Sequence, residues 1–274
     1  MPERRDLSAR EVHAILAAGL ADPRRLDCWR RLRGTFINDA TDAEFDVARI
    51  WLFSGLATKV RHNDLRSALP ATFRILDSAQ LSNELFAYYA PKAAELRNEG
   101  RNSKTVRIAS LIEFLDCWLD REKPCHAVIW DIVRHESAIY HLRTGAAGQP
   151  ASSDAREARE ISARSVPLRS AGAIQLPMSC NPVDAVRAVR AGADPASVPR
   201  EESTFAYCLL DDRVQVRIMA VDALASFLMD AADGSRTVAE MAERLRESGI
   251  ELAPEDLIQP LSGLASAGLL QFSE

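Results

Sequence analysis

The side chains best suited to catalysis or metal binding lie in one stretch, from Asp131 to His141. Asp131 and His135 are four residues apart, so on a helix they share one face and could contact the same metal ion. The zinc-protease pattern HExxH is absent, because the next histidine, His141, is six residues further on. Two interpretations remain: an enzyme that uses this stretch, or a structural role in which Asp131 orients or caps His135. We favour the structural role, because apolar residues at helical spacing predict a core face on the same helix: Trp130, Ile132, Ile139 and Leu142.

A second polar group, His62, Asn63 and Asp64, interrupts an apolar pattern earlier in the chain. It could bind a ligand, but a polar junction between helices is the interpretation we favour. The nucleophile motif GxSxG and the phosphate-binding patterns GxGxxG and GxxxxGK[ST] do not occur. The five cysteines are scattered without a CxxC pair, which indicates reduced thiols. We therefore expect no catalytic residue, no metal ligand and no cofactor in this chain.

The composition is that of a globular protein, and its charge limits the classes of partner. The 274 residues are enough for two ordinary domains, and the formal net charge is −5. No apolar run approaches the roughly 18 residues that span a bilayer. The N-terminus begins with charged residues and has no apolar core of a secretory signal. We expect a cytoplasmic protein that binds neither membranes nor nucleic acid.

The chain changes character twice along its length. In residues 1–143, apolar residues recur every three or four positions, which predicts a helical bundle. Residues 144–180 are rich in Ala, Ser, Gly and Arg and predict a linker, although 166–178 could be extended and pair with a sheet. Residues 181–274 predict a winged-helix-like domain. The expected fold class is therefore mainly α with a small α+β module.

The last seventy residues carry the clearest signals of local structure. Two short strands come first, followed by three helices and a closing apolar segment, LLQF. Thr237 and Glu240 form a capping box at the start of the second helix, and Gly249 suits its end. Pro254 fits the first turn of the third helix, and Gly268 closes that helix. This order of elements is typical of winged-helix modules, which bind nucleic acid or peptides.

The charges of this domain separate the two kinds of partner. Residues 203–274 contain 12 Asp and Glu against 5 Arg and no Lys. The helix that would enter a DNA groove contains no basic residue and starts with Glu255 and Asp256. DNA binding depends on neutralising phosphates, so these acids argue against a DNA-binding transcription regulator, which remains the alternative. The pattern favours a peptide partner, which could add as a strand to an exposed sheet edge.

Several segments together resemble a known bacterial family. They are VRHNDLRSALPATFRIL, LFAYYAP, RIASLIEFLDCWL, WDIVRHESAIYHLR and, near the C-terminus, DGSRTVAEMAERL. In these segments the chain resembles the helical partner subunits of TIM-barrel multinuclear non-haem iron enzymes, which modify ribosomally made peptides. Its C-terminal part is similar to the peptide-recognition elements of such pathways. The best-known relatives act in 3-thiaglutamate and methanobactin synthesis.

The resemblance implies a non-catalytic role. The partner enzyme would hold the iron and carry out the oxidation on a cysteine of the precursor peptide. This chain would bind the leader of that peptide and form a heterodimer with the enzyme. The thiaglutamate reaction, removal of the β-carbon of a C-terminal cysteine, is favoured over oxazolone and thioamide formation. A second binding site for the leader raises the effective concentration of the reacting residue near the metal.

A groove between a strand edge and a helix would suit a leader peptide, because main-chain hydrogen bonds accept many sequences. We expect the edge within 213–219, with Arg217 pairing an acidic residue of the leader. The other wall would come from leucines of the last helix, although plain core packing is the stronger interpretation of those leucines. The predicted peptide-binding residues are Arg213, Val214, Gln215, Val216, Arg217, Ile218, Leu257, Leu261 and Leu264.

Overall fold

The computed structural model describes residues 62–145, 161–210 and 215–273, together with the single positions 10, 56 and 60. Within these ranges the chain is mainly helical and carries five short strands, which confirms the predicted class, mainly α with a small α+β module. Backbone contacts divide the chain into two compact units. The first comprises the residues up to Trp130 with Val189–Gly192, and the second comprises Asp131–Ala188 and Ala193–Glu274. The helices predicted before residue 62 fall almost entirely outside the described residues.

In its described part, the first unit is built only of helices. A proline divides the apolar run over 65–76: Pro70 has no N–H to donate and disfavours a helical conformation at Leu69, which has φ −126° and ψ 60°. Ser103 begins a later helix, and its side chain accepts a hydrogen bond from the backbone N–H of Val106. The helices are α1, Asn63–Ala68; α2, Pro70–Ser78; α3, Ser82–Asn98; α4, Lys104–Trp118; and α5, Pro124–Gly145, which continues into the second unit from Asp131.

The core of the first unit is formed by the apolar stripes of these helices. The rings of Phe73 and Phe86 stack with their centroids 5.4 Å apart. The ring centroids of Tyr89 and Phe114 are 5.6 Å apart. The large side chains that are completely or almost completely buried there include Leu65, Leu69, Phe73, Ile75, Leu76, Leu85, Phe86, Tyr89, Ile108 and Leu111. The spacing of these residues is the helical period seen in the sequence, so the prediction of helices over the described part of this region is confirmed.

The second unit combines strands and helices. Val166–Arg169 and Ala173–Met178 are strands, as the sequence allowed for 166–178 within the predicted linker. The strands and α-helices in chain order are β1, Val166–Arg169; β2, Ala173–Met178; α6, Pro182–Arg190, whose last two residues belong to the first unit; β3, Ser203–Leu209; β4, Val216–Val221; α7, Ala223–Ala231; α8, Val238–Glu247; α9, Pro254–Ser266; and β5, Leu270–Ser273. Among the residues that the structure describes, each helix is too short or too polar to span a bilayer.

Three strands of the second unit form an antiparallel sheet in the order β2-β3-β4. Because side chains alternate between the faces of a sheet, two apolar clusters form on opposite sides of it. One face packs on α7, α8 and α9 through residues such as Ala206 and Cys208. The other face packs on the end of α5, where Phe205 and Tyr207 contact Ala138 and Leu142. Burial on both faces explains why β3 is apolar throughout its central part, FAYCL, rather than alternating.

A second small sheet closes the unit near its C-terminus. β1 and β5 pair in antiparallel fashion, and Leu168 of β1 also makes an isolated bridge to Asp233. The turn before β1 reaches α8, because the carbonyls of Ala163 and Ser165 accept hydrogen bonds from Ala239 and Val238, each of 3.0 Å. These contacts satisfy backbone donors of the first turn of α8, which a helix cannot satisfy internally. Residues 161–169 are therefore an integral part of this unit.

The helix ends follow the signals in the sequence. The capping box of α8 is present: the Thr237 backbone N–H donates to the Glu240 carboxylate at 2.7 Å, and the Glu240 N–H donates to Thr237 Oγ1. Gly249 and Gly268 have φ values of +86° and +84° after α8 and α9. Asn181 Oδ1 accepts from two N–H groups at the start of α6. The boundaries predicted at Thr237, Gly249 and Gly268 are confirmed.

Candidate functional site

The exposed edge of β4 is the strongest candidate for a binding surface. β4 is the last strand of its sheet in the described part of the chain. The Leu210 N–H donates to the Gln215 carbonyl at 2.8 Å, so this pair is hydrogen-bonded across the hairpin. Hydrogen-bonded and non-hydrogen-bonded pairs alternate along an antiparallel ladder. The main-chain groups of Val216, Ile218 and Ala220 therefore point away from β3, toward a strand that could be added.

The opposite edge of the sheet, along β2, is largely blocked to such addition. Along β3, residues bonded to β4 alternate with residues bonded to β2. This alternation leaves the main-chain groups of Ala173, Gln175 and Pro177 pointing away from β3, at the outer edge of β2. Proline has no N–H, so the position of Pro177 provides no donor at that edge, where prolines are tolerated. The Ala173 N–H is already bonded to the Ser170 carbonyl at 2.9 Å. The sheet therefore has one edge with three outward donors and one edge that is largely blocked.

The side chains of β4 offer a different chemistry on each face of the sheet. Val216 and Ile218 are half-buried and pack beside Tyr207 on the α5 side. Arg217 is exposed on the other side, and its Nη1 donates to the Ala267 carbonyl at 3.3 Å. Ala267 is the C-terminal cap residue of α9, where a cation complements the helix dipole. An added strand would meet apolar groups on one face and a guanidinium group on the other.

The structure places the predicted site residues in three groups. Arg213 and Val214 lie outside the described residues. Gln215 is exposed immediately before β4, while Val216, Arg217 and Ile218 lie in the edge strand itself. The third group is buried in the core between α7, α8 and α9, with exposed fractions of 0, 0 and 7%: Leu257, Leu261 and Leu264. In this structure the leucines are core residues and present no surface to a peptide.

Ala220 and Pro177 were not singled out from the sequence, although they decide which edge is open. The proline inside a strand was the available signal, because proline marks an edge position. Ala220 had no signal of its own, since its outward N–H depends on the hairpin register. That register is set by the Leu210–Gln215 pair.

Several acids of the C-terminal module serve the fold rather than a ligand. Asp222 accepts from the Ala225 N–H at 2.7 Å and caps α7. Hydrogen bonds from Ser235 lower the pKa of Asp233, and the hydrogen bond from the Thr237 backbone N–H lowers the pKa of Glu240. The excess of acids remains unfavourable for nucleic acid, because fixed local roles do not remove the negative charge.

Asp131, the first member of the predicted polar stretch, fastens α5 to the segment after β2. Its buried Oδ2 accepts from the Ser179 N–H at 2.7 Å, from Ser179 Oγ at 2.6 Å and from the Cys180 N–H at 3.1 Å. The Cys180 thiol donates to the same oxygen at 3.5 Å. Burial, reinforced by the charge of Asp131, raises the pKa of Cys180 to about 12. This thiol is therefore kept protonated and unsuited to nucleophilic attack.

The His135 ring contacts Tyr207, whereas the sequence predicted a contact with Asp131. Its Nδ1 lies 3.1 Å from the Tyr207 hydroxyl, and both side chains are buried. Burial raises the pKa of Tyr207 above its usual range, so the hydroxyl keeps its proton at neutral pH. The observed role of Asp131 is thus to cap 179–180, while Tyr207 orients the His135 ring. Both contacts hold α5 against other elements of the second unit, and they differ from the predicted arrangement in which Asp131 orients or caps His135.

The His62 group is a helix junction in the first unit. His62 precedes α1, and its ring stacks on Phe86 with centroids 4.3 Å apart. Arg107 of α4 donates to Asp64 at 2.6 Å and approaches His62 Nδ1 at 3.3 Å. One guanidinium group therefore joins α4 to the start of α1. This arrangement fits the polar-junction interpretation.

In the described ranges, no cluster of three or more His, Cys, Asp or Glu side chains could hold a metal ion. The chain matches no known protein family and no curated protein sequence. Its candidate site is therefore defined by its own geometry, an open strand edge beside a capped helix.

Proposed function

We propose that this chain is a non-catalytic subunit that binds the leader of a ribosomally made precursor peptide. It would present the peptide's cysteine to a partner multinuclear iron enzyme with a TIM-barrel fold. The open edge of β4 is the observation that carries this proposal, because an extended peptide can add there through main-chain hydrogen bonds. The blocked edge at β2 supports a single docking position for the peptide.

The proposed architecture is a helical bundle in front of a winged-helix-like recognition domain. The order β3, β4, α7, α8, α9, β5 supports the second part. The half-buried Val216 and Ile218 would receive apolar side chains of the leader, and Arg217 would meet a carboxylate. The iron and the oxygen chemistry would belong to the partner. Removal of the β-carbon from a C-terminal cysteine is the favoured reaction, and oxazolone and thioamide formation is next.

Two features of α8 and α9 argue against the alternative of a DNA-binding regulator. The N-terminal N–H groups of α8, which could otherwise meet a phosphate, bond to Ala163 and Ser165. The first turn of α9 carries the exposed acids Glu255 and Asp256. A DNA regulator would show salt-dependent affinity for duplex DNA. We expect no shift of duplex DNA in a gel at low salt.

The test uses a substitution that changes the edge without breaking the sheet. Ala220 is exposed, and its N–H points outward, so Ala220→Pro removes one donor from the edge and leaves the ladder to β3 intact. Ala220→Val is the matched control, because it keeps the donor and favours strand structure. The probe is a fluorescent synthetic peptide with the sequence that precedes the cysteine of a short precursor encoded beside this gene.

Fluorescence anisotropy with the full chain gives the affinities. We expect Ala220→Pro to weaken binding about tenfold or more, through one lost hydrogen bond and the bulk of the proline ring. Ala220→Val should stay within about threefold of the unmodified chain. Equal affinity of a folded Ala220→Pro variant would show that the peptide does not use this edge. Failure to co-purify with an iron enzyme encoded nearby would contradict the partner assignment.

A further inference from the structure

The outward main-chain groups of β4 also allow this strand to pair with the same strand of a second chain. Its outward main-chain groups belong to Val216, Ile218 and Ala220, spaced evenly about Ile218. An edge with this spacing can pair with itself in antiparallel fashion around a two-fold axis at Ile218. Val216 of one chain then lies opposite Ala220 of the partner subunit, and Ile218 lies opposite its own equivalent.

We propose that a second copy of this chain occupies the β4 edge and that two chains form a symmetric dimer. The two three-stranded sheets would join into one continuous antiparallel sheet. Each of the three hydrogen-bonded pairs exchanges two main-chain hydrogen bonds, which gives about six across the axis. Such an interface uses the same patch on both chains, as two-fold symmetry requires.

The side chains of β4 are compatible with this pairing. The apolar Val216 and Ile218 of both chains would lie on the same face and extend the stripe beside Tyr207. Arg217, the single charged residue of Val216–Val221, would lie opposite the uncharged Met219 of the partner subunit. Like charges directly opposite each other would destabilise the pair, and this register avoids them. The two arginines lie diagonally, where Cα atoms are about 7–8 Å apart.

The blocked second edge determines the size of the assembly. If both edges accepted strands, chains would add without limit into a fibre. Pro177 provides no donor at the β2 edge, and Ala173 already bonds within its own chain. Within the described part of this sheet, only the β4 edge is therefore open, and pairing through it stops at two chains. This inference goes beyond the peptide proposal and does not depend on it, although a peptide and a second copy would compete for β4.

The first test is the mass of the full chain in solution, measured by sedimentation equilibrium over a wide concentration range. We expect a reversible monomer–dimer equilibrium, with the dimer lost in Ala220→Pro and kept in Ala220→Val. A chain that stays monomeric at every concentration would overturn the proposal and leave the edge to a peptide. Equal dimerisation of folded Ala220→Pro would also overturn it, because the interface would then lie elsewhere.

A cross-linking test checks the register and does not rely on a proline variant. Chains carrying Arg217→Cys are mixed with chains carrying Met219→Cys, both in a background where the exposed Cys117 is serine. The two cysteines would face each other as a non-hydrogen-bonded pair with Cα atoms about 4.5 Å apart, within the range of a disulfide. We expect the mixture to form a 217–219 disulfide on oxidation, identified by mass spectrometry of the linked peptides.

Each cysteine variant alone is the matched control. Identical positions lie diagonally across the axis, about 7–8 Å apart, which exceeds the usual Cα separation of a disulfide. A 217–219 link in the mixture, with little linking in either single population, supports the register. Equal linking in all three samples, or none in the mixture of folded chains, would refute it. The disulfide reports only on the pairing of two chains, so its absence would leave the peptide proposal to be decided by the anisotropy assay.

Discussion

Replacing Asp131 by alanine tests whether one buried carboxylate fastens α5 to the segment after β2. The substitution removes the acceptor of two backbone N–H groups, those of the half-buried Ser179 and the buried Cys180. A buried donor without a partner costs about 1–3 kcal/mol, and the half-buried one costs less. We therefore expect local stability to fall by about 2–4 kcal/mol. Asp131→Asn keeps a neutral acceptor, so about half of that loss is expected.

The Cys180 thiol reports this loss directly, because it is completely buried and reacts only when the segment opens. Its labelling rate by a thiol reagent, followed by mass spectrometry on the native chain, depends on the population of the open state. Since 1.4 kcal/mol is a tenfold change, labelling should accelerate about thirtyfold to several hundredfold in Asp131→Ala. Measuring one residue avoids fitting a single unfolding transition to a chain with two units.

Cys208 is the internal control, since it is equally buried but lies on the α7–α9 side of the sheet. Local opening at 179–180 should accelerate labelling of Cys180 much more than labelling of Cys208. Equal acceleration of both would mean that the whole unit unfolds. A Cys180 rate within about twofold of the unmodified chain would refute the fastening role of Asp131.

Three further predictions follow from single contacts of the second unit. Leu261→Ala should lower the stability of the second unit by about 2–5 kcal/mol, because Leu261 is completely buried. The loss would be seen as faster amide exchange over 216–273. A loss of peptide affinity at unchanged stability would contradict the assignment of Leu261 to the core. Gly234→Ala should destabilise the same unit by about 1 kcal/mol or more in thermal melts. Gly234 has φ +80°, and an added Cβ would lie 3.0 Å from the Leu168 side chain. An unchanged melting temperature would refute this prediction. Above pH 9 the unfolded Cys180 thiol loses its proton while the folded thiol holds it until about pH 12, so stability falls as pH rises through this window. Cys180→Ala should lower by about one the number of protons released on unfolding in this pH range, which makes the fall of stability with pH less steep. An unchanged slope of stability against pH would contradict the raised pKa of Cys180.

Local elements were predictable because their signals are local. The capping box of Thr237 and Glu240 and the glycines after α8 and α9 depend on neighbours within four residues, and the structure has all of them. The predicted bundle over 1–143 set no helix boundary at Pro70, although this proline begins α2 directly after α1. The period of the apolar residues predicts a helix, but it contains no information on the backbone N–H that a proline lacks.

The candidate site was predicted in part for a similar reason. Alternation along Val216, Arg217 and Ile218 identified a strand, and β4 contains these residues. The three leucines of α9 carried a helical period that fits a groove wall or a core equally well. Their position between α7, α8 and α9 resolves that choice in favour of the core. Helical spacing shows that one face is apolar, but it does not show what covers that face.

By itself, the sequence determined the fold class of the protein, the ends of α8 and α9 and the acidity of its C-terminal part. These properties depend on composition and on residues close together in the chain. Only the tertiary structure decided which sheet edge is open, since that depends on the register of the β3–β4 hairpin and on Pro177 at the opposite edge. It also decided that Asp131 bonds to 179–180 and His135 to Tyr207, partners 48 and 72 residues away. A hydrogen bond requires proximity in space, and no spacing along the chain encodes proximity over such distances.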